Sequence, residues 1–384
     1  MKFQHAATPN ESFTRRIIYQ KLILLVVWMG IQVFLLWHEG VVTALEATKY
    51  IEQAHVFLET GKYSSGNFLF YSVQILLIAL FLKLKISFLL LVFIQIIING
   101  VSVACFYNMV NKLSSNIFLS FLSTLYFLVF YYYHVYNTYL FTESLFFSFS
   151  VIYAYFLFTR ESITIKNIVL IVLFLCILYL TRPTGIFFIP ATFLYLITKF
   201  YSRHAFKIIT ISVLFALVFF YFLFNYSLGS GGEFDFLLPY LDERIICGVP
   251  TIIKSHDIIV PVEKNSIAGL LYIISHHFNL FFKLAIQRLI AFFGIYRPFY
   301  SVFHNIFACA YFYFIYIIII AGVRDLFKKN KAEVWFLLTN IGLMAITVML
   351  SCDEWSNRFI LSVLPFFLLL SVLSICNYKN RLNV

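Results

Sequence analysis

A chain built mostly of Phe, Leu and Ile offers few side chains able to do chemistry, and these fall in short polar stretches. The first is ALEATKYIEQAHVFLETGKY, residues 44–63, which carries Glu46, Glu52 and Glu59. Ala44, Ala47, Ile51, Ala54 and Leu58 recur at spacings of three and four, so residues 43–60 are expected to form a helix with a small apolar stripe. At about 100° per residue, Glu46, Tyr50, Gln53 and Phe57 gather along one edge of that stripe, while Glu52, His55 and Glu59 lie toward the other. Glu46 and Tyr50 would then point together into whatever cleft lies alongside the helix. The plainer reading is a surface amphipathic helix with solvated acids.

Four further stretches carry charge near apolar runs. In YNTYLFTESLFF, residues 136–147, Glu143 borders an apolar run, where a carboxylate needs a partner or a polar cavity. It could equally serve as an acid in a first helical turn. In LTRPTGIFF, residues 180–188, Arg182 sits between two short apolar runs and is followed by Pro183 and Gly185. That arrangement makes either a kink with a snorkelling cation or a partner for an anionic lipid phosphate or for one of the acids. Arg288, Arg297 and His304 surround aromatic residues in RLIAFFGIYRPFYSVFHN, residues 288–305. Such residues anchor interfacial helices, and they also suit the phosphate of a lipid carrier. SCDEWSNRF, residues 351–359, places Asp353, Glu354 and Arg358 in one turn, where a local salt bridge is the simplest outcome.

Other chemistries find little support. His276 and His277 are adjacent, so on a helix their rings diverge and cannot easily share a metal. The six cysteines show no ligand spacing. Cys247 and Cys352 fall in polar loops and could pair. No phosphate-binding glycine loop, zinc-protease motif or hydrolase elbow occurs.

The elements that must hold these residues are membrane helices. The 384-residue chain is 62% hydrophobic and 12% charged, with a mean hydropathy of +0.91. That composition excludes an ordinary soluble domain. About ten runs reach spanning character, at 18–37, 86–108, 117–136, 142–158, 167–180, 184–198, 208–226, 302–323, 334–350 and 359–376. The expected fold is therefore an all-α polytopic integral membrane protein. The net charge of +11 is distributed in short basic clusters between apolar runs, which is an orientation signature and not that of a nucleic-acid binder. Treating 67–84 and 278–296 as re-entrant or interfacial segments places Arg15, Arg16, Lys199, Arg203, Lys207, Arg324, Lys328, Lys329 and Lys331 on one side. Both termini are then expected in the cytoplasm, with 38–66, 137–143, 227–301 and 351–358 outside. SLGSGGEFD, residues 227–235, reads as a flexible exit from the membrane. The chain reads as a module over 1–226, an outer connection over 227–301 and terminal helices over 302–384.

The order of these features resembles the GT-C glycosyltransferases, the superfamily of the aminoarabinose transferase and the protein O-mannosyltransferases. EATKYIEQAHVFLETGKY resembles their first outer loop, with Glu46 on the acid, Lys49 on its basic residue and Tyr50 on its tyrosine. Glu143 falls where a second acid is typical, TRPTGIFFIP looks like an Arg-Pro-x-Gly element, and DEWSNRFILSVLPFF is similar to a late outer turn. The first acid is Glu in place of the usual Asp, and Ala47 replaces the second acid of the pair. No counterpart of the aminoarabinose transferase's Glu-Lys-Pro metal element precedes 67–84.

The resemblance implies a bacterial plasma-membrane enzyme working at the outer face. A polyprenyl-phosphate sugar would be the donor, and a lipid, glycan or protein the acceptor. Glu46 would be the catalytic base and Glu143 a second catalytic carboxylate, with Lys49, Tyr50, Arg182, Arg288, Arg297 and Arg358 on the substrate or lipid phosphate. No cofactor is required beyond a divalent cation that some members use. A polysaccharide polymerase or ligase, and a lipid or solute transporter, are the competing readings. A transporter would show matching broken helices in two halves, and the short pair at 167–198 has no clear mate.

Overall fold

The computed structural model describes residues 11–200, 237–249 and 267–382, with residues 207, 210 and 218 singly between them. Apart from those single residues, the expected span 208–226 lies outside the described residues. So do the exit at 227–235, part of the 227–301 connection and Arg203. Among the described residues, seven helices are long and apolar enough to cross a membrane, or nine if each of two bent pairs makes one span. The all-α polytopic expectation holds at that level. The chain divides into two compact units, Met1–Thr181 and Arg182–Val384. Their boundary falls at the Thr181-Arg182-Pro183 break.

The first unit contains α1 (Glu11–Glu39), α2 (Glu46–Thr60) and a 3-10 turn (Gly66–Tyr71) that runs into α3 (Ser72–Lys83). It continues through α4 (Phe88–Ser114), α5 (Ile117–Val129), α6 (Tyr131–His134) with a 3-10 turn (Val135–Thr138), α7 (Thr142–Phe158) and α8 (Ile165–Thr181). Side-chain caps set several starts: the Ser87 side chain accepts from the Leu89 N–H, and Asn116 accepts from Leu119. Helix α2 stops at Gly61, whose left-handed backbone (φ 70°) turns its N–H onto the Phe57 carbonyl.

Helices α1 and α4 run antiparallel. Lys21 lies over the Tyr107 ring, Trp28 donates to Asn99, and Gln32 and Gln95 both bond Asn137. As residue numbers rise along α1 they fall along α4. Trp28 fits there because Gly100 has no side chain: a Cβ would come within 2.8 Å of the indole. The end of α1 and the start of α4 therefore lie at the same end of the unit, and residues 40–87 make no net crossing. Residues 66–83 have the length and composition of a span, but the direction of their flanking helices decides against one. The expected span 117–136 is not a straight helix either. It bends by 69° at Phe130, whose backbone (φ −80°, ψ 72°) has inverse γ-turn geometry. Neither Pro nor Gly marks this break in the sequence.

The second unit begins with a 3-10 turn (Pro183–Phe187) and α9 (Phe188–Phe200), followed by α10 (Leu238–Leu241) and β1 (Ile246–Cys247). Helices α11 (Ile267–His276) and α12 (Phe278–Gly294) meet at 107°. Then come α13 (Val302–Gly322), α14 (Lys331–Leu350), β2 (Asp353–Glu354) and α15 (Arg358–Leu382). Helix α15 is the axis of this unit, with 83% of its most apolar window buried. At one end, Lys199 closing α9 pairs with Glu333 opening α14 at 3.2 Å, and Asn377 donates to the Asp325 carbonyl. Arg324, Lys328, Lys329 and Lys331 cluster there. At the opposite end β1 and β2 pair in parallel, and Cys247 and Cys352 form a disulfide across Cα atoms 5.4 Å apart.

Gly322 and Ser374 mark the tightest crossing of α13 and α15. A Cβ on Gly322 would stand 2.8 Å from the Ser374 Cα, a backbone atom that cannot swing away. Gly322→Ala should cost about 1–3 kcal/mol through overpacking, read as a lower thermal midpoint in detergent. An unchanged midpoint would contradict this close approach.

Candidate functional site

Helix α2 forms over Glu46–Thr60, as its stripe predicts, but its buried face is turned toward the Tyr50 edge. Ala47, Tyr50, Gln53 and Ala54 are buried, whereas Ala44 and Leu58 are exposed. Burying a glutamine needs polar partners, and Gln53 finds them in the loop that follows. The Gln53 side-chain oxygen accepts from both the N–H and the hydroxyl of Ser64, and Phe57 stacks on Tyr63. Glu52, His55 and Glu59 stay in solvent.

This packing singles out one carboxylate. Glu46 opens α2 with its side chain about one-third exposed, 4.0 Å from the Lys49 ammonium. Lys49 in turn lies 5.1 Å from the centre of the Tyr50 ring and 5.4 Å from that of Tyr71, while the two rings are 5.4 Å apart. An ammonium over two aromatic faces is held by cation–π attraction, so Lys49 is positioned and not loosely solvated. Leu45, just before Glu46, has φ 58° and ψ −126°, and the Ala47 N–H returns to the Ala44 carbonyl. Those angles suit glycine at the first corner of a type II′ turn, and a leucine there stores strain. Tyr71 was not legible as a site residue, because no spacing rule links it to α2.

Nearby, the bridge between Val42 and Tyr139 brings the end of α1 to residues 138–140. The Tyr139 hydroxyl donates to Glu39 at 3.1 Å. Burial and the Glu39 carboxylate push this phenol up to about 12, so its proton stays in place. Glu143 is fully buried in the first turn of α7, within hydrogen-bond reach of the Thr142 hydroxyl at 3.4 Å.

The second unit brings Arg182, Arg288, Arg297 and Arg358 to its disulfide end, and Arg288 and Arg297 are taken up by the fold. Arg288 is fully buried over the Tyr240 ring. It donates to the carbonyls of Arg244 (2.9 Å), Met349 (3.3 Å) and Pro239 (2.9 Å). Arg297 is likewise buried, donating to the carbonyls of Ala291, Tyr296 and Glu354 and pairing with Asp353. Burial pushes the Asp353 carboxyl up from its ordinary range, and the Arg297 guanidinium pulls it back. Arg358 pairs with Glu354 one turn before it, the local salt bridge that the sequence suggested. Arg182 lies 5.9 Å from the Phe359 ring, the residue after Arg358. Both guanidiniums thus converge on the start of α15.

The disulfide ties the 237–249 segment to the turn carrying Asp353 and Glu354. It closes a sequence separation of 105 residues, so Cys352→Ser should lower stability by about 2–4 kcal/mol. The comparison is between the thermal midpoints of oxidised wild type and variant, and equal midpoints would show that the bond constrains nothing. Among the described residues, no three His, Cys, Asp or Glu side chains converge as a metal site requires.

These features define a helical polytopic membrane protein with polar, charge-paired segments at the helix ends. No family model, curated protein or solved structure matches the chain.

Proposed function

We propose that this protein is a membrane glycosyltransferase that moves a sugar, with inversion, from a polyprenyl-phosphate carrier to an acceptor hydroxyl. The observation that carries the reading is the cluster at the start of α2. It pairs an accessible carboxylate, Glu46, with a positioned ammonium, Lys49, that lies over two adjoining tyrosine rings. Glu46 takes the proton of the acceptor hydroxyl while that oxygen attacks the anomeric carbon. The bond from that carbon to the phosphate oxygen breaks, and polyprenyl phosphate departs with the electron pair. Lys49 provides the cation that offsets charge on the leaving phosphate.

The proposed setting is a bacterial plasma membrane, with both termini in the cytoplasm and α2 outside. Two features support this orientation. Disulfides persist in oxidising compartments, and Cys247–Cys352 lies at the end of its unit opposite the basic cluster of Lys199, Arg324 and Lys328–Lys331. In the first unit, Arg15 and Arg16 open α1 at the end opposite α2.

The test is release of polyprenyl phosphate by the purified protein in lipid nanodiscs supplied with a panel of polyprenyl-phosphate sugars and hydroxylic acceptors. Coupled release and sugar transfer is the expected result. Movement of the donor between leaflets without bond cleavage would replace this reading with a transporter.

A further inference from the structure

Within the first unit, a seam of buried amides and hydroxyls runs between α1, α3, α4, the 131–138 elbow and α7. Its hydrogen bonds fix most of its orientations. Gln95 donates both amide hydrogens to main-chain carbonyls, of Asn137 at 3.0 Å and Tyr139 at 2.9 Å. Its oxygen therefore accepts from Gln74 (3.4 Å), leaving the Gln74 oxygen as a buried acceptor without a partner among the described residues. Asn137 bonds Gln32 on one side and Ser144 on the other. Because serine can donate or accept, this pair could be turned over. Either way Gln32 keeps one amide atom unmatched, its nitrogen as drawn.

One turn deeper, Trp28 has only an N–H to give, so Asn99 must present its oxygen to it, at 3.0 Å. The His134 Nδ1, 3.3 Å from the same oxygen, then carries the hydrogen, and Nε2 is an unmatched acceptor. The hydroxyls of Ser148 and Tyr133 are unmatched too. Gln32, Gln74, Tyr133, His134 and Ser148 are all less than 5% exposed. Trp28 lies roughly midway between Arg15 and Glu39, so the seam reaches the middle of the helices from the end that carries α2.

Buried polar atoms at that depth rarely go unmatched, since each costs free energy when no partner is supplied. A ligand matching this set must both donate and accept. A neutral hydroxyl does both, and the five unmatched groups are amides, hydroxyls and an imidazole. Phosphate and metal ions are poorly suited, as these five residues include no cationic or carboxylate side chain. We propose that the seam is a binding site for neutral hydroxyl groups, supplied by internal water molecules or by hydroxyls of a sugar-like ligand. Water with two to four polar partners is a normal structural component of such sites. This inference stands apart from the transfer reaction, because hydration can be read whether or not any sugar moves.

Radiolytic hydroxyl-radical labelling in 18O water tests it on the intact protein in nanodiscs. Tyr133 and His134 should be oxidised, with incorporation of 18O, at least about tenfold faster than equally buried Tyr153, since bound water is the local radical source. Labelling of both at the Tyr153 rate would overturn the site. Repeating the experiment with a polyprenyl-phosphate sugar separates the two sources: protection identifies ligand hydroxyls, and unchanged labelling identifies water. Ser148→Ala is an independent check. A bridged hydroxyl predicts a fall in thermal midpoint of about 2–4 °C, whereas a rise would mean that the oxygen is simply orphaned and the proposal is wrong.

Discussion

Replacing Glu46 by Gln should lower the turnover of sugar transfer by about 10²–10⁴-fold, the usual contribution of a general base. The substitution keeps shape and removes only the ability to accept a proton. Folding should be nearly untouched, because the side chain is partly exposed and its 4.0 Å contact with Lys49 is a weak surface pair. Loss of a negative charge from the first turn of α2 adds about 0.3–1 kcal/mol at most. The donor KM should change little. Glu52→Gln and Glu59→Gln report on exposed carboxylates of the same helix and should retain full turnover. A Glu46→Gln protein that transfers sugar at the wild-type rate would remove Glu46 from the mechanism. Equal losses in all three variants would point to the net charge of the segment instead.

Replacing Arg297 by Ala should destabilise the second unit by about 3–5 kcal/mol, because it leaves the Asp353 carboxylate buried without its cation. Three main-chain carbonyls would lose their donor in the same step. Arg297→Lys should rescue little, since an ammonium cannot reproduce a planar fork that serves four acceptors. Replacing both partners by apolar residues, as in Arg297→Met with Asp353→Leu, should recover much of the loss, since no lone charge is then buried. Thermal midpoints in detergent measure all three. The stretch 288–305, read as sequence, offers Arg297 as a ligand for a lipid phosphate. If Arg297→Ala kept its stability and raised the donor KM alone, that reading would displace the structural one.

Much of the architecture was legible in the chain. Length and mean hydropathy require membrane helices, and the described residues hold seven to nine of them. Local periodicity was also sufficient for α2, because every residue it involves lies within a few turns. It divided Glu46 and Tyr50 from Glu52 and Glu59 before any contact was known. The Arg358–Glu354 pair was legible for the same reason, its members lying four residues apart across one turn.

What the sequence left open depends on partners far along the chain. Whether 66–83 crosses the membrane is a matter of the directions of α1 and α4, set by Trp28 with Asn99 and Gln32 with Asn137. Arg288, Arg297 and Arg358 look alike as isolated cations beside aromatic residues. Only the folded chain gives Arg288 three carbonyls and Arg297 a buried aspartate 56 positions away. The break at Phe130 carries no local signature either, whereas the pairing of Cys247 with Cys352, open in the sequence because both fall in polar loops, is made by the folded chain. Composition and periodicity report what a segment can do with water, lipid and its own next turn. Which buried polar group meets which partner is decided by helices packing at close range, and that information exists only in the tertiary structure.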